Sequence, residues 1–246
     1  MEPTPNWLGA TIFWLYILAA LFFTALIIYT IVNIPQSKEN ILARFDTQRE
    51  QRLFTFLAIL SFLVLSANML HVLINSFNTW SRERPLDSPT TNIFSTVGTW
   101  SLSSTLFHDF AEALLYDRTR MAWTAAALST TFAFCLYMGI EGHRRAVPNL
   151  WAFFCLAQIL PISFTQNLFT LARLRLPPAV NPKVPVQILF LIGQIGMYVG
   201  FSGITFNLAK PELLMRMVVS TRALMLLPCI LAPGALSPFF GKTRAT

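Results

Sequence analysis

Charged side chains are scarce in this sequence: Asp, Glu, Lys and Arg make up 12% of its 246 residues, against 54% hydrophobic ones. An ordinary soluble domain carries roughly 25% charged residues, so that class is excluded. Cysteine is rare as well. Cys135, Cys155 and Cys229 all fall inside apolar stretches, and an odd number of such thiols is neither a disulfide framework nor a zinc-site pattern. The three histidines, His71, His108 and His143, form no His-x-x-His pattern, which argues against membrane hydrolases and di-iron oxygenases built on richer His sets. The last apolar run has no Lys for a retinal Schiff base, and no Asp-rich diphosphate-binding motif occurs anywhere. There is no N-x-Ser/Thr glycosylation signal. An internal repeat is also missing, so an inverted-repeat transporter is unsupported.

What the chain does contain is long apolar runs, near 8–33, 53–77, 93–115, 121–140, 150–171, 186–207 and 214–235. A bilayer-spanning helix needs about 20 such residues, and barrel strands would be about 10 residues with strict alternation. The expected fold is therefore all-α, a polytopic membrane bundle of seven transmembrane helices forming one domain over 1–246. The first run is too long for a signal core and lacks a basic leader, so it is expected to stay as an anchor.

The net charge of +7 does not imply nucleic acid, because the basic residues sit between the runs. With the N-terminus lumenal, Lys38, Arg44, Arg49, Arg52, Arg118, Arg120, Arg173, Arg175, Lys183, Lys242 and Arg244 fall on the cytosolic side. Only Arg82, Arg84, Arg144, Arg145 and Lys210 fall on the other. The asymmetry predicts that the N-terminus is lumenal or extracellular and the C-terminus cytosolic; the expected location is the endoplasmic reticulum membrane.

The third run carries the chemistry-bearing cluster His108-Asp109-Phe110-Ala111-Glu112. Ser101, Thr105, His108 and Glu112 share one helical face, with Asp109 to one side. Ionisable groups in a membrane helix mark a cavity or an ion path. A desolvated carboxyl keeps its proton near neutral pH and can donate it, so Asp109 or Glu112 is the candidate acid, with His108 relaying or orienting the proton. The plainer reading pairs both carboxylates with Arg118 or Arg120 at the membrane boundary.

Other polar groups follow. Asn68, His71 and Asn75 form a stripe in the second run, either pocket lining or interhelical glue. Glu141 ends the fourth run, one turn after Tyr137, and is either catalytic or paired with Arg144 or Arg145. Gln158, Ser163, Thr165, Gln166 and Asn167 lie in the fifth run, where amides need partners. Trp100 sits inside the third run and could face a cation. In the sixth run Gly193, Gly196, Gly200 and Gly203 form a packing seam, with Gln194 facing the interior. Pro161 is expected as a tolerated kink. Alternating spans predict a cytosolic-half cavity with His108, Asp109 and Glu112 on one wall and Gln166, Asn167 and Gln194 opposite. Glu141 would lie at the other end with His71 or Asn75.

Two segments carry a family resemblance: Glu141-Gly142-His143-Arg144-Arg145 followed by Trp151-Ala152-Phe153-Phe154, and Leu156 to Phe169, reading LAQILPISFTQNLF. Over 105–172 the chain resembles fungal membrane-bound terpene cyclases of the ascofuranone and macrophorin type. The indole-diterpene type fits poorly, since its essential early-span Glu has no counterpart in the first two runs. The resemblance implies cyclisation of a prenylated, lipophilic meroterpenoid: an acid protonates an epoxide or terminal alkene, and proton loss or water capture ends the cascade. It implies no cofactor and no metal. The membrane lipid and the small-molecule substrate are the expected partners. The alternative class is a non-enzymatic seven-helix receptor, carrier or scaffold. Against a receptor, Tyr116-Asp117-Arg118 has the residues of an Asp-Arg-Tyr motif in another order, and Asn-Pro-x-x-Tyr is missing from the last run.

Overall fold

A computed structural model of the chain describes residues 6–34, 41–83, 93–103 and 118–176, with isolated positions between 196 and 229. Among the described residues every regular element is a helix. These are α1 (Trp7–Asn33), α2 (Ile41–Glu83), α3 (Ile93–Ser103), α4 (Arg118–Arg144), α5 (Leu150–Ile159) and α6 (Ile162–Arg175). Among the described residues two stretches, Trp7–Asn33 and Gln48–Arg82, are long and apolar enough to cross a membrane. The expected runs at 186–207 and 214–235 lie almost wholly outside the described residues.

α1 begins where Asn6 caps it, its side-chain oxygen accepting from Gly9 N at 2.9 Å. Its outer face carries Leu18 (61% exposed), Leu21 and Phe22, and α2 similarly exposes Phe56, Leu63 (58%) and Leu70. Contiguous bare apolar faces of this kind are unfavourable in water and neutral in lipid.

α2 extends well beyond the expected 53–77 at both ends. Nothing in Ile41–Gln51 stops a helix, since neither Pro nor Gly occurs there. Its polar side chains are accommodated by back-bonding to the preceding turn: Thr55 donates to Gln51 O at 2.7 Å, and Thr79 to Asn75 O at 3.0 Å.

The expected single helix over 150–171 is two helices. α5 stops at Ile159, Leu160 is extended (φ −105°, ψ 162°), and α6 begins at Ile162. Pro161 causes the break, because it has no N–H to donate and disfavours a helical residue before it. The chain then folds back. The Phe153 and Phe169 rings stand 5.7 Å apart, edge to face. Along an unbroken helix sixteen residues would separate them by about 24 Å. α5 and α6 are thus a helical hairpin.

The contacts also fix the sense of each helix. Tyr16 reaches Ile159, Phe23 packs edge-to-face with Trp151 at 5.8 Å, and Asn149 Nδ2 donates to Thr30 Oγ1 at 2.9 Å, so α5 runs antiparallel to α1. Arg175 Nη1 donates to Ile31 O at 2.6 Å, so α6 ends where α1 ends. Phe62 packs on Phe164 at 5.3 Å, and Gln48, Gln51 and Arg52 nearer the start of α2 line one cleft with Arg175 at the end of α6, so α2 runs antiparallel to α6.

The α4–α5 turn needs two residues of positive φ, Ala146 (50°) and Asn149 (52°); Asn tolerates this region well. Gly142 lets Leu150 pack closely: a Cβ there would sit 2.5 Å from Leu150 Cδ1 unless that side chain shifted. The core is aromatic and lies between α4, α5 and α6, where Phe153, Phe154, Phe169, Met138 and Cys135 are fully buried.

Candidate functional site

Three features have the geometry of sites. The first is a cleft of about 790 Å³ between α1, α2 and α6. Its walls are Ile28 and Ile31 from α1, Ile59 and Phe62 from α2, and Phe164 and Leu168 from α6. Its mouth is polar, formed by Gln48, Gln51 and Arg52 of α2 with Arg175 at the end of α6. Thr24 also lines it, and its hydroxyl is buried with no hydrogen-bond partner among the described residues. The volume falls in the range of small-molecule pockets, about 300–1,000 Å³. From Arg52 to Leu63 the α2 wall runs for about 16 Å. The arrangement suits an amphiphile: an apolar chain inside, a polar head at the mouth.

The second feature is the hairpin tip. Breaking the helix frees the last carbonyls of α5. Tyr16 donates its hydroxyl to Ile159 O, and Arg222 donates Nη1 to Gln158 O. A guanidinium is also favourable at the negative end of the α5 dipole. Gln158 Nε2 points at Cys135 Sγ, 3.6 Å away, and Gln158 Oε1 is buried without a partner among the described residues. Such an orphan acceptor costs about 1–3 kcal/mol.

The third is an ionic network around Glu141. Arg145 Nε donates to Oε1 at 2.5 Å and Arg144 Nη1 to Oε2 at 3.2 Å. Arg145 also donates to Arg173 O at 3.3 Å, while Arg173 Nη1 donates to Tyr137 Oη at 2.6 Å. The Glu141 carboxylate is buried and both of its oxygens accept from guanidinium groups. Through Arg145, which also reaches Arg173 O, this carboxylate ties the α4 end to the α6 end.

Several expected site residues can now be located. His108, Asp109, Glu112 and Gln194 lie outside the described residues. Glu141 was expected at the opposite end of the bundle from the last turn of the fifth run. The contacts instead bring Glu141, Arg145, Arg173 and the Arg175–Ile31 pair to one end. The reason is the hairpin: the segment 150–171 returns to the end it entered. Arg144 and Arg145 therefore join Arg173 and Arg175, rather than standing as exceptions across the bundle.

Asn68 and His71 are exposed on α2 and do not line the cleft. Their hydrogen bonds stay within α2: Asn68 donates to Val64 O at 2.9 Å, and the His71 ring lies 3.1 Å from Asn75 Nδ2. Trp100 is buried and packed edge-on to Phe13 (6.2 Å) and Phe77 (5.9 Å), tying α3 to α1 and α2. No open ring face is left for a cation by this packing, although its Nε1 has no partner among the described residues. Gln166 is exposed, whereas Asn167 turns toward α2, with Nδ2 3.5 Å from Ser61 Oγ. Residues that sequence reasoning passed over are Thr24, Tyr16 and the pair Arg52 and Arg175. The arginines looked like loop charges, and only the approach of α6 to α1 gives them a site.

The chain matches no protein-family model, no curated protein and no solved structure.

Proposed function

We propose that this is an integral membrane protein that takes a lipophilic amphiphile into the α1–α2–α6 cleft and acts on it as a metal-independent terpene cyclase. The observation that carries the reading is the cleft itself, apolar along most of its length apart from the Thr24 and Thr55 hydroxyls and charged only at its mouth, between helices whose outer faces are bare hydrocarbon. A prenyl chain partitions into lipid and would enter such a cleft without crossing water. In this reading the apolar runs are membrane-embedded, seven in all, the run at 150–171 is re-entrant, and α4 starts on the lumenal side, since it ends beside the last turn of α1. The basic end faces the cytosol of an endoplasmic reticulum membrane.

The proton donor in this reading is Asp109 or Glu112, with His108 orienting it. The acid transfers its proton to an epoxide oxygen or terminal alkene carbon. The cation is passed along the prenyl double bonds, and proton loss or water capture closes the sequence. Aromatic walls and exclusion of water favour such a cation. Glu141 has a positioning role here, through the Arg145–Arg173 contact that sets the end of α6.

One observation favours a second reading, a carrier that binds the same class of ligand without chemistry: no carboxylate lines the cleft among the described residues. Microsomes expressing the chain, given a panel of prenylated phenol epoxides and examined by mass spectrometry, separate the two. Cyclised isomers of unchanged mass, or their hydrates, support the cyclase. Saturable retention of the substrate with no product supports the carrier. Full activity in both Asp109→Asn and Glu112→Gln would reject the assigned acids.

A further inference from the structure

We infer that the cleft between α1, α2 and α6 selects an anionic amphiphile, its carboxylate- or phosphate-type head held by Arg175 and Arg52. This rests on the reading of the cleft as a ligand site and adds the charge of what enters it. Arg175 carries five N–H donors in a planar fork. Nη1 is used on Ile31 O at 2.6 Å, which fixes the guanidinium against the last turn of α1. Nε is buried and has no hydrogen-bond partner among the described residues. The Nε edge of the fork is one that can grip a carboxylate or phosphate with two parallel bonds. Placement at the negative end of α6 explains why a cation is tolerated there. It does not explain the unpaired Nε, nor the second guanidinium lining the same mouth.

That second group, Arg52, comes from α2 and is exposed. It makes no hydrogen bond or ion pair among the described residues, and no Asp or Glu lines the cleft with it. Two like charges facing one cavity repel each other when it is empty, and an anion between them removes that repulsion. The neutral residues at the mouth, Gln48 and Gln51, supply amide donors without opposing charge. Below the mouth the lining turns apolar at Ile28, Ile59 and Phe62. Head and chain are therefore recognised separately along one channel.

The head could belong to a bilayer phospholipid or to a free single-chain amphiphile, and the experiment separates these sources. The full chain, purified in detergent, is photolabelled with diazirine-bearing palmitate and, in parallel, diazirine-bearing hexadecanol. Adducts are mapped by peptide mass spectrometry. The expected result is labelling of segments 24–32, 55–63 and 164–171 that is at least about tenfold stronger for the acid, the scale of a charge-assisted pair. Arg52→Gln should weaken palmitate labelling severalfold. Arg175→Lys should also weaken it, by removing the fork while keeping the charge. Arg175→Gln also loses the tie to α1, so Arg52→Gln, whose side chain bonds to nothing described, keeps the test valid if that variant misfolds. Displacement of the label by phosphatidylglycerol but not phosphatidylcholine in nanodiscs identifies a phospholipid head. Displacement by neither identifies a free amphiphile. Equal labelling by alcohol and acid, or wild-type labelling in Arg52→Gln, would overturn the inference. Labelling is read without turnover. Its failure with cyclised products still forming would leave the cyclase reading standing, and the reverse holds too.

Discussion

The Phe169 ring lies edge-on to the Phe153 ring, 5.7 Å away, and edge-on to Phe134 and Tyr137 at 6.0 and 5.9 Å. One side chain thus joins α4, α5 and α6, and it holds the hairpin closed. Edge-to-face pairs contribute about 0.5–1.5 kcal/mol each beyond area burial. In lipid, where tails are as apolar as the side chains, such packing replaces the hydrophobic drive.

Phe169→Ala is expected to be the most destabilising single change in the described core, by about 3–5 kcal/mol. Phe169→Leu should cost less, since it keeps most of the volume. Thermal unfolding of the detergent-solubilised chain, followed by size-exclusion chromatography, ranks the two. An Ala variant as stable as wild type would show that the hairpin does not depend on this cluster.

Gly142→Ala places a methyl group 2.5 Å from Leu150 Cδ1 and 2.8 Å from Cδ2. Both are ends of a flexible side chain, so the expected cost is about 1–2 kcal/mol, at the low end of overpacking. Adding Leu150→Val shortens the clashing side chain. It should recover part of that loss in the same unfolding assay, giving a double-mutant coupling of opposite sign to the single effects. Strict additivity would mean that the two residues do not touch.

Glu141→Gln removes the anion from Arg144 and Arg145. Arg144 is 39% exposed in its side chain, so most of the effect should come through the more buried Arg145. A loss of about 1–2 kcal/mol is expected, because the half-buried Arg145 exchanges a charged acceptor for a neutral one. Any turnover per folded molecule should persist. Loss of turnover with unchanged unfolding would instead make Glu141 the reacting acid.

Parts of this architecture are legible in the sequence. α1 is read almost to the residue, because 7–33 contains no charge and no proline. The Glu141 pairing follows from i+3 and i+4 spacing alone. α2 is under-read because hydropathy reports the apolar stretch, while helix ends are set by stop signals that lie further out. The stripe Asn68–His71–Asn75 reads by periodicity as pocket lining or interhelical glue, yet it bonds within its own helix, which periodicity cannot distinguish. The hairpin was missed at Pro161. A proline in a membrane run permits either a kink or a break, and the choice depends on whether distant groups satisfy the freed carbonyls. Tyr16 and Arg222 do so here.

The central claim is that segment 150–171 returns to the end it entered, and so sets α6 as a wall of the cleft. Single cysteines introduced as Ala146→Cys and Leu176→Cys, in a background lacking Cys135, Cys155 and Cys229, test it directly. Sealed microsomes would be labelled with a membrane-impermeant maleimide before and after permeabilisation. The hairpin predicts that both positions label from the same side. Labelling from opposite sides would contradict it and restore a single crossing helix.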